Sequence, residues 1–360
     1  MLIGLFGTGR NGSTLIGRLL DGIQDTYVHP VEELFLSSFH DLAKYGKIKR
    51  LTSQNCTTKS LTHLTGQIST RLLDSHYTNN LKSLSDDYIS RCDTTKNLPA
   101  VTLKDFLREE RYGVEKFVMD YLAALGKYAR ADIQFQHHLF KSIETPYIDD
   151  YAALFPDMKF IHILRHPVTV CSSQKRSVME NKKYPSSYLG FDWLTCMLDK
   201  RWIPHVKSIL KNKQDPRHIT VLYEELVKDP VNEIAKVASW LGLKSPPRSD
   251  TQTLFYDLDA NLLFNPSKKG VKTPKKAIPD LQRKFNYQEI LTQREIDLIN
   301  YKTGPYLEGF GYEKMTRPTL PGLMLSHILP DKWEFMHCDT YKLKLRGLFG
   351  AIVRRASIFS

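Results

Sequence analysis

The sequence is poor in cysteine, in long apolar runs and in acidic charge relative to basic charge. Its five cysteines, at positions 56, 92, 171, 196 and 338, form no C-x-x-C pair and no Cys/His spacing typical of zinc sites. A disulfide framework and a bound metal are therefore not expected. No apolar run approaches the ~20 residues of a membrane span, and no basic leader precedes the first apolar run at Leu2. We expect a soluble, cytoplasmic protein without stable membrane insertion.

The excess of basic residues favours an anionic partner. Lys and Arg number 51 against 39 Asp and Glu, a formal net charge of +12, while 41% hydrophobic residues is an ordinary globular value. Such a charge fits a polyanion, for example a nucleotide with several phosphates or an acidic glycan, although a solvated basic surface gives the same number. No RNP, zinc-finger or basic-zipper pattern is present, so nucleic acid is not expected.

The first seventeen residues predict an anion-binding turn. The apolar run 2–6 is typical of a buried strand, and Leu15, Ile16, Leu19 and Leu20 have helical spacing. A strand, a tight glycine-rich turn and a helix start together present backbone N–H groups to an anion. Glycines allow close approach, and an arginine adds positive charge. The candidate residues are Gly9, Arg10, Asn11, Gly12, Ser13 and Thr14.

The turn is compatible with three kinds of anion site. Glycines 7, 9 and 12 match a dinucleotide fingerprint, with Glu32 twenty residues beyond Gly12 as the ribose-binding acid. They also match a Walker loop in which Ser13 replaces the expected lysine. Finally, the run Gly-Arg-Asn-Gly-Ser-Thr-Leu at 9–15 resembles the 5′-phosphosulfate loop of sulfotransferases.

A second segment favours the third interpretation. The apolar strand 159–164 ends at Arg165, and Ser173 follows eight residues later on a predicted helix. A cation that leaves a buried strand at a helix start suits a phosphate, although Arg165 could instead pair with a carboxylate. This segment resembles the 3′-phosphate segment of sulfotransferases, in which such an arginine and serine hold the ribose phosphate.

Three further stretches carry the same resemblance. The segment 221–230 is similar to one whose tyrosine, here Tyr223, lies near the adenine, and 303–312 looks like the closing helix of the family. Lys268, Lys269 and Gly270 are similar to a basic loop that contacts the 3′-phosphate, although a solvated loop would have the same composition.

The resemblance implies transfer of a sulfuryl group from 3′-phosphoadenosine 5′-phosphosulfate (PAPS) to a hydroxyl or amine, which leaves adenosine 3′,5′-bisphosphate (PAP). No metal is implied. Arg10 would neutralise charge on the bridging oxygen as its bond to sulfur breaks. Lys141 resembles a family lysine near the sulfuryl oxygens, although it could be a surface lysine at a strand end.

The acceptor needs a general base. Family members use a glutamate or a histidine after the second strand, and Glu32, Glu33 and His29 are the candidates here. Spacing from Arg10 favours Glu32, and one of the two glutamates is expected to face a helix dipole instead. We expect a small-molecule or saccharide acceptor. The open alternatives are a P-loop kinase or nucleotide-binding protein without the Walker lysine, and a non-catalytic polyanion-binding module.

Strand and helix patterns alternate along the chain, which predicts an α/β fold with a central parallel sheet flanked by helices. We expect one domain over 1–317, with a helical insertion at about 36–135 that shapes the acceptor pocket, and a C-terminal extension over 318–360. Pro30 is expected to open a helix, 191–210 to form one long helix, and Thr292 with Glu295 to cap another. The sequence carries no signal for the oligomeric state.

Overall fold

The computed structural model describes residues 1–20, 23–32, 118–119, 122, 135–180, 193–244 and 287–313. The described residues fall into two compact units. The first takes those within Met1–Gly7, Gly12–Ile163 and Lys211–Leu281, and the second those within Thr8–Asn11, Leu164–Leu210 and Gln282–Ser360. The expectation of a single domain over 1–317 stays a prediction.

A five-stranded parallel sheet forms the centre of the first unit. Its spatial order is β2-β3-β1-β4-β5. The strands are β1 (Leu2–Phe6), β2 (Thr26–Glu32), β3 (His137–Ser142), β4 (Lys159–Leu164) and β5 (His218–Leu222). The central strand β1 pairs with β3 on one side and β4 on the other, with Phe6 opposite Ser142 and His162. Strands β2 and β3 lie on one side of β1, and β4 and β5 lie on the other. The strand order therefore reverses at β1, and ligands of open parallel sheets bind at the carboxyl ends of the strands beside such a point.

Both faces of the sheet are covered by apolar side chains. Alternate strand residues, among them Ile3, Leu5 and Ile161, pack in one cluster with α1 (Ser13–Leu20) and α7 (Pro230–Leu241). On the other face the ring of Phe6 lies 5.2 Å from that of Tyr151 in α2 (Ile148–Leu154). Burial on both faces explains why β1 contains no charged residue. The predicted α/β fold class is confirmed.

Strand β2 shows that one helix prediction is wrong. Residues 30–32 continue the strand to Glu32, and Pro30 does not open a helix there. Since β2 lies at the edge of the sheet, the missing N–H of a proline costs no ladder bond on its outer side. The pairing of β2 with β3 shifts register between Val28 and Glu32, which absorbs the irregularity.

The second unit is helical. It contains α3 (Pro167–Glu180), α4 (Trp193–Met197), most of α5 (Ile203–Lys211) and α8 (Gln293–Leu307). A π-helical turn, Leu198–Trp202, separates α4 from α5, so the described part of 191–210 is not one regular helix. The predicted capping box is confirmed, because the side chains of Thr292 and Glu295 each accept from the other residue's backbone N–H.

Helix α6 (Tyr223–Lys228) directly follows β5. Within the part of the chain that the structure describes, no helix has the length and apolar character needed to span a bilayer. The acceptor-side insertion predicted at 36–135 and the extension at 318–360 lie almost wholly outside the described residues.

Candidate active site

The loop after β1 has an unusual backbone. Gly9, Arg10 and Gly12 have φ values of 73°, 58° and 102°, all in the left-handed region. The loop begins where the N–H of Gly7 donates to the carbonyl of Ser142 (3.2 Å). Successive residues that leave the usual backbone conformations turn their N–H groups toward one point, which is how such loops bind anions. The left-handed backbone of this loop is compatible with the predicted anion-binding turn.

Helix α1 begins directly after this loop. The carbonyl of Gly12 accepts from the N–H groups of Leu15 (2.8 Å) and Ile16 (3.1 Å), which starts the helix at Ser13. The first N–H groups of a helix have no acceptor within it and point away from its start. Ser13 and Thr14, two of the predicted ligands, are the first residues of α1 and lie at the positive end of its dipole.

Arg10 meets both members of the predicted phosphate-binding pair within the second unit. Its Nε donates to Ser173 Oγ at 3.3 Å. Its carbonyl accepts from Arg165 Nη1 at 3.1 Å. Arg165 and Ser173, which follow Arg10 in the chain by 155 and 163 positions, therefore both contact Arg10, one at its backbone and the other at its side chain.

Two side chains contact the backbone around Arg165 and His166. The indole N–H of Trp202, in the π-helical turn, donates to the Arg165 carbonyl at 3.0 Å. The next residue, His166, has its Nε2 3.2 Å from the carbonyl of Glu313, and its Nδ1 accepts from Val168 N–H at 3.3 Å. These contacts fix the neutral Nε2–H tautomer of His166. Sequence reasoning missed both supports, and the one signal for them was a buried-type Trp that needs an acceptor.

Helix α3, which carries Ser173, is anchored to α8 by a buried ion pair. Lys175 Nζ lies 2.8 Å from both carboxylate oxygens of Glu295, and the side chains are only 3% and 6% exposed. One turn earlier, burial and the Glu295 carboxylate both raise the pKa of the Cys171 thiol, so this cysteine is a protonated core residue. The ion pair fixes the helix two residues from the predicted phosphate ligand.

Tyr223 covers the last glycine of the loop. A Cβ built on Gly12 would lie 2.3 Å from Tyr223 Cδ2, so only glycine fits beneath the ring. Tyr223 is the first residue of α6 and belongs, like Gly12, to the first unit. The structure therefore places this predicted adenine-side tyrosine directly against the anion-binding loop.

Lys141 and Glu32 are opposite each other in neighbouring strands. Glu32 ends β2, and the register pairs it with Lys141 of β3. Lys141 is only 5% exposed, and its Cδ lies 3.6 Å from the Cβ position that a side chain at Gly17 would have, so it is not a surface lysine. Glu32 is the last residue of β2 and Glu33 lies outside the described residues, so the expectation that one of the two faces a helix dipole stays a prediction.

His29, the third candidate base, is fully buried in β2, with its ring 6.4 Å from that of Tyr27. The remaining predicted site residues, Glu33, Lys268, Lys269 and Gly270, lie outside the described residues. Among the residues that the structure does describe, no three His, Cys, Asp or Glu side chains form a metal-binding group. The expectation that no metal is used stays a prediction.

Comparisons with known proteins give one family match. A family model described as "Sulfotransferase family" matches residues 3–247, which is more than half of the chain. A comparison with curated proteins finds no match.

Several solved structures are similar in outline. The sulfotransferase domain from the Synechococcus PCC 7002 olefin synthase is 18% identical, with 87% of this chain and 94% of that one covered and a TM-score of 0.49. A sulfotransferase from Alicyclobacillus acidocaldarius is 14% identical over 72% and 87% of the two chains, with a TM-score of 0.39. Retinol dehydratase in complex with androsterone and the inactive cofactor PAP is 14% identical over 88% and 82%, with a TM-score of 0.37.

Proposed function

The chain belongs to the sulfotransferase family, and from that premise we propose that it transfers a sulfuryl group from PAPS to a hydroxyl or amine. The proposed acceptor is a small molecule or a saccharide, and the proposed nucleotide product is PAP. The observation that supports this most is the contact of Arg10 with both Arg165 and Ser173. A donor with phosphates on both its 5′ and 3′ positions needs two anion sites close together, and this contact joins the two predicted ones.

The described residues fit such a donor. The loop offers left-handed backbone at Gly9, Arg10 and Gly12, where N–H groups can approach a 5′-phosphate closely. The pair Arg165 and Ser173 offers a guanidinium and a hydroxyl for the ribose 3′-phosphate. In this proposal Lys268, Lys269 and Gly270 also contact that phosphate, and Tyr223 lies beside the adenine.

The proposed reaction is an in-line displacement at sulfur. The acceptor oxygen or nitrogen attacks, a new bond to sulfur forms, and the bond from sulfur to the bridging oxygen of the 5′-phosphate breaks with both electrons left on that oxygen. Arg10 neutralises the charge that grows there, and Lys141 balances the sulfuryl oxygens. Both groups are held before reaction, Lys141 by burial in β3 and Arg10 by two contacts in the second unit.

The proton of the acceptor goes to a general base, a carboxylate or an imidazole. We favour Glu32, because the sheet register sets it opposite Lys141, so the proposed base and the proposed sulfuryl-binding cation share one end of neighbouring strands. Glu33 and His29 are the other candidates. Removal of the carboxylate should lower turnover much more than donor affinity, since the base acts on the acceptor.

Two measurements test the proposal together. The purified protein is titrated with PAP and, separately, with ATP and Mg²⁺, and it is then incubated with sulfur-labelled PAPS and a panel of alcohols, amines and glycans. We expect PAP to bind without added metal and label to reach at least one acceptor class. Preferential binding of ATP with Mg²⁺ would support a kinase-like protein, and tight PAP binding without transfer to any acceptor would support a binding module.

A further inference from the structure

We propose that Arg165 has a second role beside the ribose phosphate: its guanidinium clamps the backbone of Arg10 in the conformation that the anion-binding loop requires. This inference rests on the proposed function, because the clamped loop is the one assigned to the 5′ end of the donor. It makes Arg165 a positioning residue for the sulfated end of the nucleotide as well as a ligand of the other end.

Arg10 needs an external support. Its φ of 58° lies in the left-handed region, where the Cβ of an L-residue crowds the neighbouring carbonyl. Gly9, directly before it, and Gly12, two residues after it, take such values without that crowding. Residues other than glycine persist there only where their surroundings hold them.

The Arg165 guanidinium provides that support at the backbone carbonyl of Arg10. Nη1 of Arg165 donates to the carbonyl oxygen of Arg10 at 3.1 Å, so it fixes the peptide plane directly after the left-handed residue. The donor is charged, which makes this a stronger hydrogen bond than one between neutral groups. At its other end, Arg10 is held through its side chain by Ser173.

The clamp itself has a fixed base. The Trp202 indole, 1% exposed, donates to the Arg165 carbonyl, and the His166 ring is held by Val168 N–H and lies near the Glu313 carbonyl. Arg165 therefore projects from backbone that two neighbouring side chains hold. An arginine suits this double role, because its planar fork carries five N–H donors and can serve two acceptors at once, whereas a lysine ammonium is a single point.

The role predicts an effect on a ligand that has no 3′-phosphate. Adenosine 5′-monophosphate (AMP) can occupy the loop but offers nothing to a residue that only binds the ribose phosphate. We would measure AMP and PAP affinities by calorimetry for the wild type, Arg165→Met and Lys207→Met, at about 0.15 M and about 0.5 M salt. Lys207 is an exposed residue of α5 in the same unit, so its variant removes equal charge without touching Arg10 in any observed contact.

We expect Arg165→Met to weaken AMP by about tenfold at both salt concentrations, the worth of one charge-assisted hydrogen bond, and to weaken PAP further. Lys207→Met should stay within about twofold. An unchanged AMP affinity, or a loss that disappears at high salt, overturns the clamp and leaves Arg165 a phosphate ligand only.

A second variant and a second readout cover the case of a protein that does not fold or does not bind AMP. Trp202→Phe removes only the N–H at the Arg165 carbonyl, and about threefold weaker AMP binding is expected, against no change if the clamp is wrong. A crystal structure of ligand-free Arg165→Met should show Arg10 outside the left-handed region, and a φ still near 58° would contradict the proposal. Failure of the donor assignment is recognised separately, because the wild type would then bind PAP no more tightly than AMP.

Discussion

Replacement of Gly12 by alanine should damage the loop for two separable reasons. The first is conformational: at a φ of 102° an alanine Cβ meets its own backbone, which costs about 1–2 kcal/mol relative to glycine. The second is steric: the new Cβ would lie 2.3 Å from Tyr223 Cδ2 and 2.7 Å from Cε2, so the ring must move. Overpacking of this kind costs about 1–3 kcal/mol, which gives about 2–5 kcal/mol in total.

The chain contains a matched control for the first cost alone. Gly242 has a φ of 75° at the end of α7, and a Cβ built there has no neighbour within 4 Å. Gly242→Ala should therefore show the conformational cost without the collision. Chemical denaturation of the wild type and both variants gives three free energies of unfolding. The difference between the two losses relative to the wild type isolates the contact with Tyr223.

A double-mutant cycle completes the test. Because Tyr223→Ala removes the ring that the new methyl group meets, Gly12→Ala should cost about 1–3 kcal/mol less in that background. PAP affinity should fall with Gly12→Ala and not with Gly242→Ala. The reasoning is refuted if the two glycine variants are equally stable relative to the wild type, or if removal of the ring leaves the cost of Gly12→Ala unchanged.

Other consequences concern the reaction, the buried ion pair and acid sensitivity. Arg10→Ala should lower kcat by about 10²–10³-fold while PAP affinity falls less, because the charge on the bridging oxygen exists only during transfer. Steady-state kinetics measures kcat and calorimetry measures PAP affinity, and equal losses in both would argue against this role. Glu295→Ala should destabilise the protein by about 3–5 kcal/mol, because it leaves Lys175 as a buried charge without its carboxylate, and a cost under about 1 kcal/mol in urea unfolding would contradict that. Burial lowers the pKa of His218 to about 4 and of His205 to about 3, below the 6.5 of an unfolded histidine. Between about pH 4 and about pH 6.5 the unfolded chain therefore binds more protons than the folded chain. The stability that the two neutral rings contribute is complete above about pH 6.5 and is lost as the pH falls toward 4. A free energy of unfolding that stays constant between about pH 6.5 and about pH 4 would contradict neutral buried rings.

The sequence predicts local features of this molecule well. Apolar runs identify β1 and β4, and hydroxyl-acid spacing identifies the capping box at Thr292. Such features depend on residues close together in the chain, where hydrophobic period and capping chemistry determine the conformation. The prediction of a helix start at Pro30 is wrong because a proline suits both a helix start and an edge strand, and only the sheet order distinguishes the two.

Contacts between segments far apart in the chain cannot be predicted from local sequence patterns. The alternation of Phe140 and Lys141 in β3 does not reveal that the lysine is buried, since burial depends on how α1 packs there. The support of Arg165 by Trp202 joins two segments through a π-helical turn that no sequence period indicates. The bond from Arg10 to Ser173 spans 163 positions and follows only from the order of the strands.

The central claim is that a single nucleotide with phosphates at its 5′ and 3′ positions binds both the loop after β1 and the pair Arg165 and Ser173. The most direct test is a crystal structure of the protein with PAP. We expect one PAP molecule, with its 5′-phosphate on the backbone N–H groups of residues 11–14 and its 3′-phosphate on Arg165 and Ser173. A 3′-phosphate bound by other residues, or a PAP molecule that touches only one of the two segments, would contradict it.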